Sequence, residues 1–134
     1  MNVANERIDY YNPDDPWMKK QPGTTAQEQN SFQQSYLAHG FIDTFRAMFP
    51  NERAYSYFNP RKGSLAYKRR EGLRIDYVLV GRDEPSVSPS VQLNPEAHSK
   101  VGGSLGPLPA PYILEEVWSP YSDHCPVGAT VPLG

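Results

Sequence analysis

Leu73-Arg74-Ile75-Asp76-Tyr77-Val78-Leu79-Val80 carries the strongest strand pattern in the chain. Its β-branched, aromatic and aliphatic residues are typical of a half-buried strand. Arg74 and Asp76 interrupt the apolar run two positions apart, so in a strand both side chains face the same side. Asp76 therefore has two interpretations, which the pattern leaves open. It is either the partner of Arg74 in an ordinary ion pair or an active-site carboxylate at a strand end.

A second polar pair lies near the C-terminus, in Ser122-Asp123-His124-Cys125-Pro126-Val127. A carboxylate can hold a cation, and an imidazole can orient or protonate an oxygen, so one turn could serve both parts of a metal-assisted hydrolysis. An isolated Asp-His dipeptide is more often a loop whose histidine only caps a strand. The functional interpretation therefore depends on supporting residues elsewhere in the chain.

The charge distribution is uneven although the net charge is only -2. Residues 46–74 contain eight basic and two acidic residues, a local balance of +6. Aromatic side chains are interleaved with these cations, as in grooves that bind nucleic acid, although most charge runs are simply solvated. We favour a polyanion-binding surface. The basic residues are Arg46, Arg53, Arg61, Lys62, Lys68, Arg69, Arg70 and Arg74, and the aromatic ones are Tyr55, Tyr57, Phe58 and Tyr67.

Local signals predict several further elements. Thr25 and Glu28 form a capping-box pattern, which predicts a helix with Phe32 and Tyr36 on its apolar face and a stop at Gly40. The other expected elements are the end of a strand at residues 1–4, a short helix or turn over 41–50, and strands over 55–58, 112–117 and 127–131.

Composition predicts one domain with a modest core. The chain has 134 residues, of which 38% are hydrophobic and 14 are proline, and its mean hydropathy is -0.64. Prolines and glycines concentrate between residues 85 and 111, which predicts a long surface loop in which His98 is exposed. The single cysteine, Cys125, excludes an intramolecular disulfide and favours a reducing, intracellular setting. No apolar run is long enough to predict a membrane span.

Four ordered motifs resemble the exonuclease III and apurinic/apyrimidinic (AP) endonuclease family, within the endonuclease/exonuclease/phosphatase superfamily. They are Asn2-Val3-Ala4, the segment from Gly40 to Arg46, the segment from Gly72 to Tyr77, and Ser122-Asp123-His124-Cys125-Pro126. The resemblance implies an α/β fold that is part of a four-layered sandwich of two packed, mainly antiparallel sheets flanked by helices. Residues 1–134 would then form a single partial domain whose N-terminal half is missing.

The resemblance also implies roles for the matching residues. His124 would contact the scissile phosphate, Asp76 would orient His124, and Asn2 would hydrogen-bond the phosphate or its nucleophile. Asp123 would be a metal-binding carboxylate for Mg²⁺, with Mn²⁺ as the alternative ion. The family's catalytic aspartate falls immediately before Met1, and its metal-binding glutamate falls earlier still.

Three more residues resemble the family's DNA contacts. Tyr57 and Leu73 correspond to the pocket for a flipped-out, base-free sugar, and Asn12 corresponds to an asparagine that contacts the DNA backbone. Ile75 also falls near this pocket, but we expect it to belong to the core.

The expected function is hydrolysis of the DNA backbone 5′ to an abasic site in double-stranded DNA, and 3′–5′ exonuclease activity is an additional candidate whose share the sequence leaves open. Such an enzyme would work in the nucleus of a eukaryote, or in the cytoplasm or nucleoid of a prokaryote. Because family ligands are missing, we expect the chain alone to have little or no nuclease activity. The alternatives are a non-catalytic remnant that binds nucleic acid and another phosphodiesterase or phosphatase of the superfamily.

Overall fold

The computed structural model describes residues 2–82 and 108–133. These residues form a mixed α/β structure with three two-stranded antiparallel sheets, which pair β1 with β4, β2 with β3 and β5 with β6. The helices are α1 (Ala26–Ser35), α2 (Thr44–Met48) and α3 (Ser64–Lys68). The strands are β1 (Phe41–Asp43), β2 (Tyr57–Phe58), β3 (Gly72–Leu73), β4 (Leu79–Gly81), β5 (Ala110–Ile113) and β6 (Val127–Thr130).

The capping-box prediction for α1 is confirmed. The Thr25 hydroxyl accepts a hydrogen bond from the Glu28 amide, and the Glu28 carboxylate accepts from the Thr25 amide in return. Phe32 is buried and packs 4.8 Å from the Tyr77 ring, centroid to centroid, which docks the helix on the segment that follows β3. Gly40 ends the short 3-10 turn after the helix with a φ of 85°, a conformation that glycine adopts without steric cost.

The prediction of one continuous strand over residues 73–80 is wrong. The chain pairs in β3, leaves the ladder over residues 74–78, and pairs again in β4 with β1. Two contacts account for the interruption. The Arg74 side chain turns into a buried cluster of carboxylates, and the amides of Ile75 and Asp76 both bind the Ser56 hydroxyl instead of a neighbouring strand.

The buried cluster consists of Arg74, Asp9, Asp43 and Arg46. Arg74 donates to both carboxylates, at 2.8 Å to Asp9 Oδ1 and 2.6 Å to Asp43 Oδ2. Arg46 contacts Asp9 at 2.5 Å. Burial alone would lower the pKa of Arg74, but the hydrogen bonds that it donates to Asp9 and Asp43 outweigh burial and raise the pKa above its ordinary value. The cluster therefore fixes the start of residues 74–78 to the N-terminal turn and to β1.

The strand expected at the N-terminus is not found, since residues 2–5 belong to no strand. They are held by single contacts instead. The Ala4 amide donates to Gly23, and the Tyr77 hydroxyl donates to the Val3 carbonyl at 2.5 Å. Two side-chain clusters form the core. One contains Ala4, Tyr10, Met18 and Ile75, as expected for Ile75, and the other contains Tyr55, Phe58, Ala66 and Cys125.

Two boundaries near the C-terminus differ from the prediction. The strand expected over residues 112–117 is instead β5 at 110–113, followed by a 3-10 turn at Glu115–Val117. The predicted surface loop at 85–111 therefore ends too late, because Ala110 and Pro111 belong to β5. The rest of that prediction, including His98, lies mostly outside the described residues. In the described ranges no helix has the length and apolarity to cross a membrane.

Candidate active site

The side chains of His124 and Asp76 contact each other beside β2. The His124 Nδ1 atom lies 2.7 Å from Asp76 Oδ2, and the two side chains are 35% and 29% exposed. Asp76 sits on the extended segment after β3, and His124 lies shortly before β6, where it forms a bridge with Tyr57 of β2. The pair thus joins residues that are 48 positions apart in sequence and leaves both accessible to a ligand.

The chemistry of the two groups orients the imidazole. An ionised carboxylate can only accept hydrogen bonds, so the His124 Nδ1–H donates to Asp76. The second ring nitrogen, Nε2, is then left for a ligand, as an acceptor when the ring is neutral and a donor when it is protonated. This geometry excludes the ion pair between Arg74 and Asp76, because Asp76 pairs with His124 while Arg74 pairs with Asp9 and Asp43.

Tyr57 and Leu73 form a wall beside this pair. They are directly opposite in the β2–β3 register, and the Tyr57 ring lies 5.2 Å from the His124 ring at an angle of 60°. Burial and the nearby Asp123 carboxylate raise the pKa of the Tyr57 phenol, which therefore stays neutral at ordinary pH. Both side chains are half-buried, and the Tyr57 ring presents its surface to the imidazole.

A cleft of about 400 Å³ opens on another side of His124. Its lining combines small polar residues with Val117, Cys125 and Pro126. Burial, helped by the Glu115 carboxylate, raises the pKa of the Cys125 thiol to about 11. The cysteine beside His124 is therefore a packed side chain rather than a nucleophile at neutral pH.

Asp123 is half-buried next to His124, and its carbonyl accepts from the Phe58 amide at 2.9 Å. Within residues 2–82 and 108–133, no three His, Cys, Asp or Glu side chains come together as a group that could hold a metal ion. Mg²⁺ commonly uses one or two carboxylates together with substrate phosphates. Asp123 is a suitable single ligand, but the described donors do not make a complete magnesium site.

The two asparagines are not brought to the pair. Asn2 is exposed, and its carbonyl packs against Gly23, where an added Cβ would lie only 2.7 Å away. Asn12 is also exposed, and its carbonyl accepts from the Asp15 amide in a turn. The contacts of the described residues link neither asparagine to His124.

Comparison with known proteins finds relatives by sequence similarity. No family model matches the chain. It is 29% identical over 134 residues to the DNA-(apurinic or apyrimidinic site) endonuclease of Dictyostelium discoideum, covering 99% of this chain. The chain is therefore similar in sequence to an AP endonuclease along nearly its whole length. It spans 30% of the length of that relative. It is also 36% identical over 81 residues to Recombination repair protein 1 of Drosophila melanogaster, covering 60% of this chain and 11% of that protein.

The basic surface of this chain is smaller than the sequence predicts. Arg46 and Arg74 are buried in the carboxylate cluster and cannot reach a polyanion. Lys62 and Arg70 are paired with Glu71 and Glu115. The basic residues of the stretch that remain exposed are Arg53, Arg61, Lys68 and Arg69, together with the paired Lys62 and Arg70.

Ser56 is the residue of this site that the sequence reasoning missed. It is fully buried, and its hydroxyl accepts hydrogen bonds from the amides of Ile75 at 3.0 Å and Asp76 at 3.1 Å. The available signal was a small polar residue between the aromatic residues Tyr55 and Tyr57. Strand alternation puts that position on the same face as Phe58, but nothing in the local pattern identifies the backbone amides that its hydroxyl binds.

Proposed function

We propose that this chain carries the phosphate-binding part of an AP endonuclease, which hydrolyses the DNA backbone 5′ to an abasic site. The observation that carries the proposal is the 2.7 Å contact between His124 and Asp76, in a chain homologous to AP endonucleases. A histidine oriented by a carboxylate is suited to hold an oxygen whose negative charge grows during hydrolysis. We propose the four-layered sandwich as the fold of the whole catalytic domain.

In this proposal Asp76 holds the His124 ring through Nδ1, and Nε2 donates to a non-bridging oxygen of the scissile phosphodiester. A donor that carries a charge makes a hydrogen bond to phosphate roughly twice as strong as a neutral one. Asn2 is proposed as a second phosphate contact, reached when DNA is bound.

The Tyr57–Leu73 wall is proposed to contact the abasic sugar. Removal of a base leaves a deoxyribose with an apolar face, which fits against half-buried aromatic and aliphatic side chains beside the phosphate site. Asn12 and the exposed arginines and lysines of residues 53–70 would contact the DNA backbone, which adds affinity without reading sequence.

Mg²⁺ is the proposed metal, with Mn²⁺ as the alternative ion, and Asp123 is the residue of this chain proposed to touch it. The ion would neutralise phosphate oxygens when bound. Because the described donors do not complete its site, we assign no further role to the metal through this chain and propose that its other ligands lie outside the described residues. Double-stranded DNA with abasic sites is the proposed partner, which would put the protein at intracellular DNA, in the nucleus of a eukaryote.

A non-catalytic DNA-binding role is the second candidate. It is favoured by one observation, that the described part of the chain holds no three-residue metal site. Both candidates predict DNA binding, and only the first predicts hydrolysis when the complete set of ligands is present.

The test is an incision assay with a 5′-labelled duplex that contains one tetrahydrofuran abasic analogue. We expect the 134-residue chain to bind this duplex, with an affinity that falls as salt rises, and to incise it little or not at all in Mg²⁺ or Mn²⁺. Strong incision that is lost in His124→Ala would establish catalysis and contradict the incomplete metal site. Absence of both binding and incision would overturn both candidates.

A further inference from the structure

Ser56 lies where the two segments that carry the His124–Asp76 pair meet. Its side chain is fully buried immediately before β2, between Tyr55 and Tyr57. The hydroxyl faces the segment that carries Asp76, and the backbone carbonyl faces the segment that carries His124. A single residue therefore touches the supports of both functional side chains.

Four hydrogen bonds define this junction. The Ser56 hydroxyl accepts from the amides of Ile75 and Asp76, and its carbonyl accepts from the Cys125 amide at 2.7 Å. The Ser56 amide donates to the Leu73 carbonyl at 2.9 Å. Asp76 is itself a member of the pair, and Cys125 directly follows the other member, His124.

The contact with two consecutive amides is unusual for a strand. In a regular ladder, successive amides point to opposite edges, so one acceptor cannot serve both. A hydroxyl oxygen has two lone pairs and can accept both once the backbone turns the amides toward it. This turn removes residues 74–78 from the ladder. Without the hydroxyl, two amides in a largely buried region would lack a partner.

We propose that Ser56 is a positioning residue for phosphodiester hydrolysis, which sets the backbone of Asp76 so that its carboxylate meets His124 Nδ1. This inference rests on the proposed function for its biological meaning. The contact it describes can be measured without DNA. A purely structural serine would stabilise the fold and leave the imidazole hydrogen bond unchanged when removed.

The test compares Ser56→Thr with Ser56→Val. Threonine and valine have nearly the same shape, but valine has a methyl group where threonine has the hydroxyl. The matched control is Thr44→Val. Thr44 is also fully buried, and its hydroxyl donates at 2.8 Å to the Val78 carbonyl, at the far end of the same segment. NMR of the ¹⁵N-labelled chain would follow the His124 ring N–H resonance and the exchange of the Ile75 and Asp76 amides.

We expect the wild type, Ser56→Thr and Thr44→Val to keep the hydrogen-bonded ring resonance. In Ser56→Val this resonance should be lost. The Ile75 and Asp76 amides should exchange about tenfold faster or more, because each loses its hydrogen bond. A ring resonance kept in Ser56→Val, or lost equally in Thr44→Val, overturns the proposal. If the valine variant does not fold, Ser56→Ala takes its place.

A measurement on the wild type needs no variant. The Asp76 amide should exchange slowly, and exchange as fast as in an unfolded peptide would overturn the proposal. Binding of the tetrahydrofuran duplex is measured in parallel. Failure to bind would count against the proposed function, whereas the ring resonance decides the role of Ser56 in either case.

Discussion

Replacing Arg74 with methionine tests how the buried cluster holds the site in place. Arg74 makes four hydrogen bonds to Asp9 and Asp43. The Arg74 and Asp9 side chains are 0% exposed and that of Asp43 is 8% exposed. Methionine keeps much of the side-chain length but leaves the buried Asp9 and Asp43 carboxylates with Arg46, which contacts Asp9, as the remaining cation of the cluster. Breaking a buried pair in this way costs about 3–5 kcal/mol. Since a domain of this size is stable by only about 5–15 kcal/mol, the loss is a large share of the total.

The matched control is Arg7→Met, which breaks the ion pair between Arg7 and Asp14. These side chains are 62% and 86% exposed, so we expect about 0–1 kcal/mol. Equilibrium unfolding in urea, followed by circular dichroism, gives both values. A loss for Arg74→Met within about 1 kcal/mol of the control would refute the claim that this cluster holds residues 74–78.

Three further outcomes are expected. Burial raises the pKa of Glu28, but hydrogen bonds from the Thr25 hydroxyl and from the amides of Gly23 and Thr25 lower it overall. The ionised form therefore stabilises the fold above the ordinary carboxylate pKa, and this contribution is lost as pH falls through the lowered value. Glu28→Gln should have a lower urea midpoint than the wild type at pH 7, and an equal difference below about pH 4 would contradict this. Cys125, buried and with its pKa raised to about 11, should react slowly with Ellman's reagent at pH 8 and rapidly in urea, and fast native reaction would argue against its burial. Tyr57→Phe should bind the tetrahydrofuran duplex like the wild type, whereas Tyr57→Ala should lose about 1–3 kcal/mol of binding free energy, measured by fluorescence anisotropy. Unchanged affinity in Tyr57→Ala would contradict a contact between the ring and DNA.

Local patterns in the sequence predicted the elements whose causes are local. The capping box of α1 depends on Thr25 and Glu28, three residues apart, and the left-handed turn at Gly40 depends on one glycine. The last strand, β6, also lies within its predicted range. Each of these features can be found by inspecting a few neighbouring residues.

The interrupted strand after β3 could not be predicted in this way. Its interruption comes from Asp9 and Asp43, which are 65 and 31 positions from Arg74, and from Ser56, 20 positions from Asp76. The strand propensity of residues 73–80 was correct for its ends and was overridden in the middle by these long-range contacts. The same cluster removed Arg46 and Arg74 from the predicted basic surface.

The candidate site was predictable through resemblance rather than through spacing. Asp76 and His124 are 48 positions apart, and no local pattern connects them. The resemblance to AP endonucleases proposed the pairing, and the fold brings the two side chains together. The roles of Asn2 and Asn12 were inferred in the same way, but the contacts described for them are made by their backbone carbonyls, with Gly23 and Asp15.

The most direct test of the account is the affinity of the chain for a duplex with one tetrahydrofuran abasic analogue, measured by fluorescence anisotropy. The variants are His124→Ala and Asp76→Asn, and the control is His39→Ala, which alters an exposed histidine in the turn after α1. Loss of a charged hydrogen bond to phosphate should weaken binding by about tenfold or more in His124→Ala, and by a smaller factor in Asp76→Asn. His39→Ala should bind like the wild type. Equal affinities for the wild type, His124→Ala and His39→Ala would contradict the claim that the His124–Asp76 pair binds the DNA phosphate.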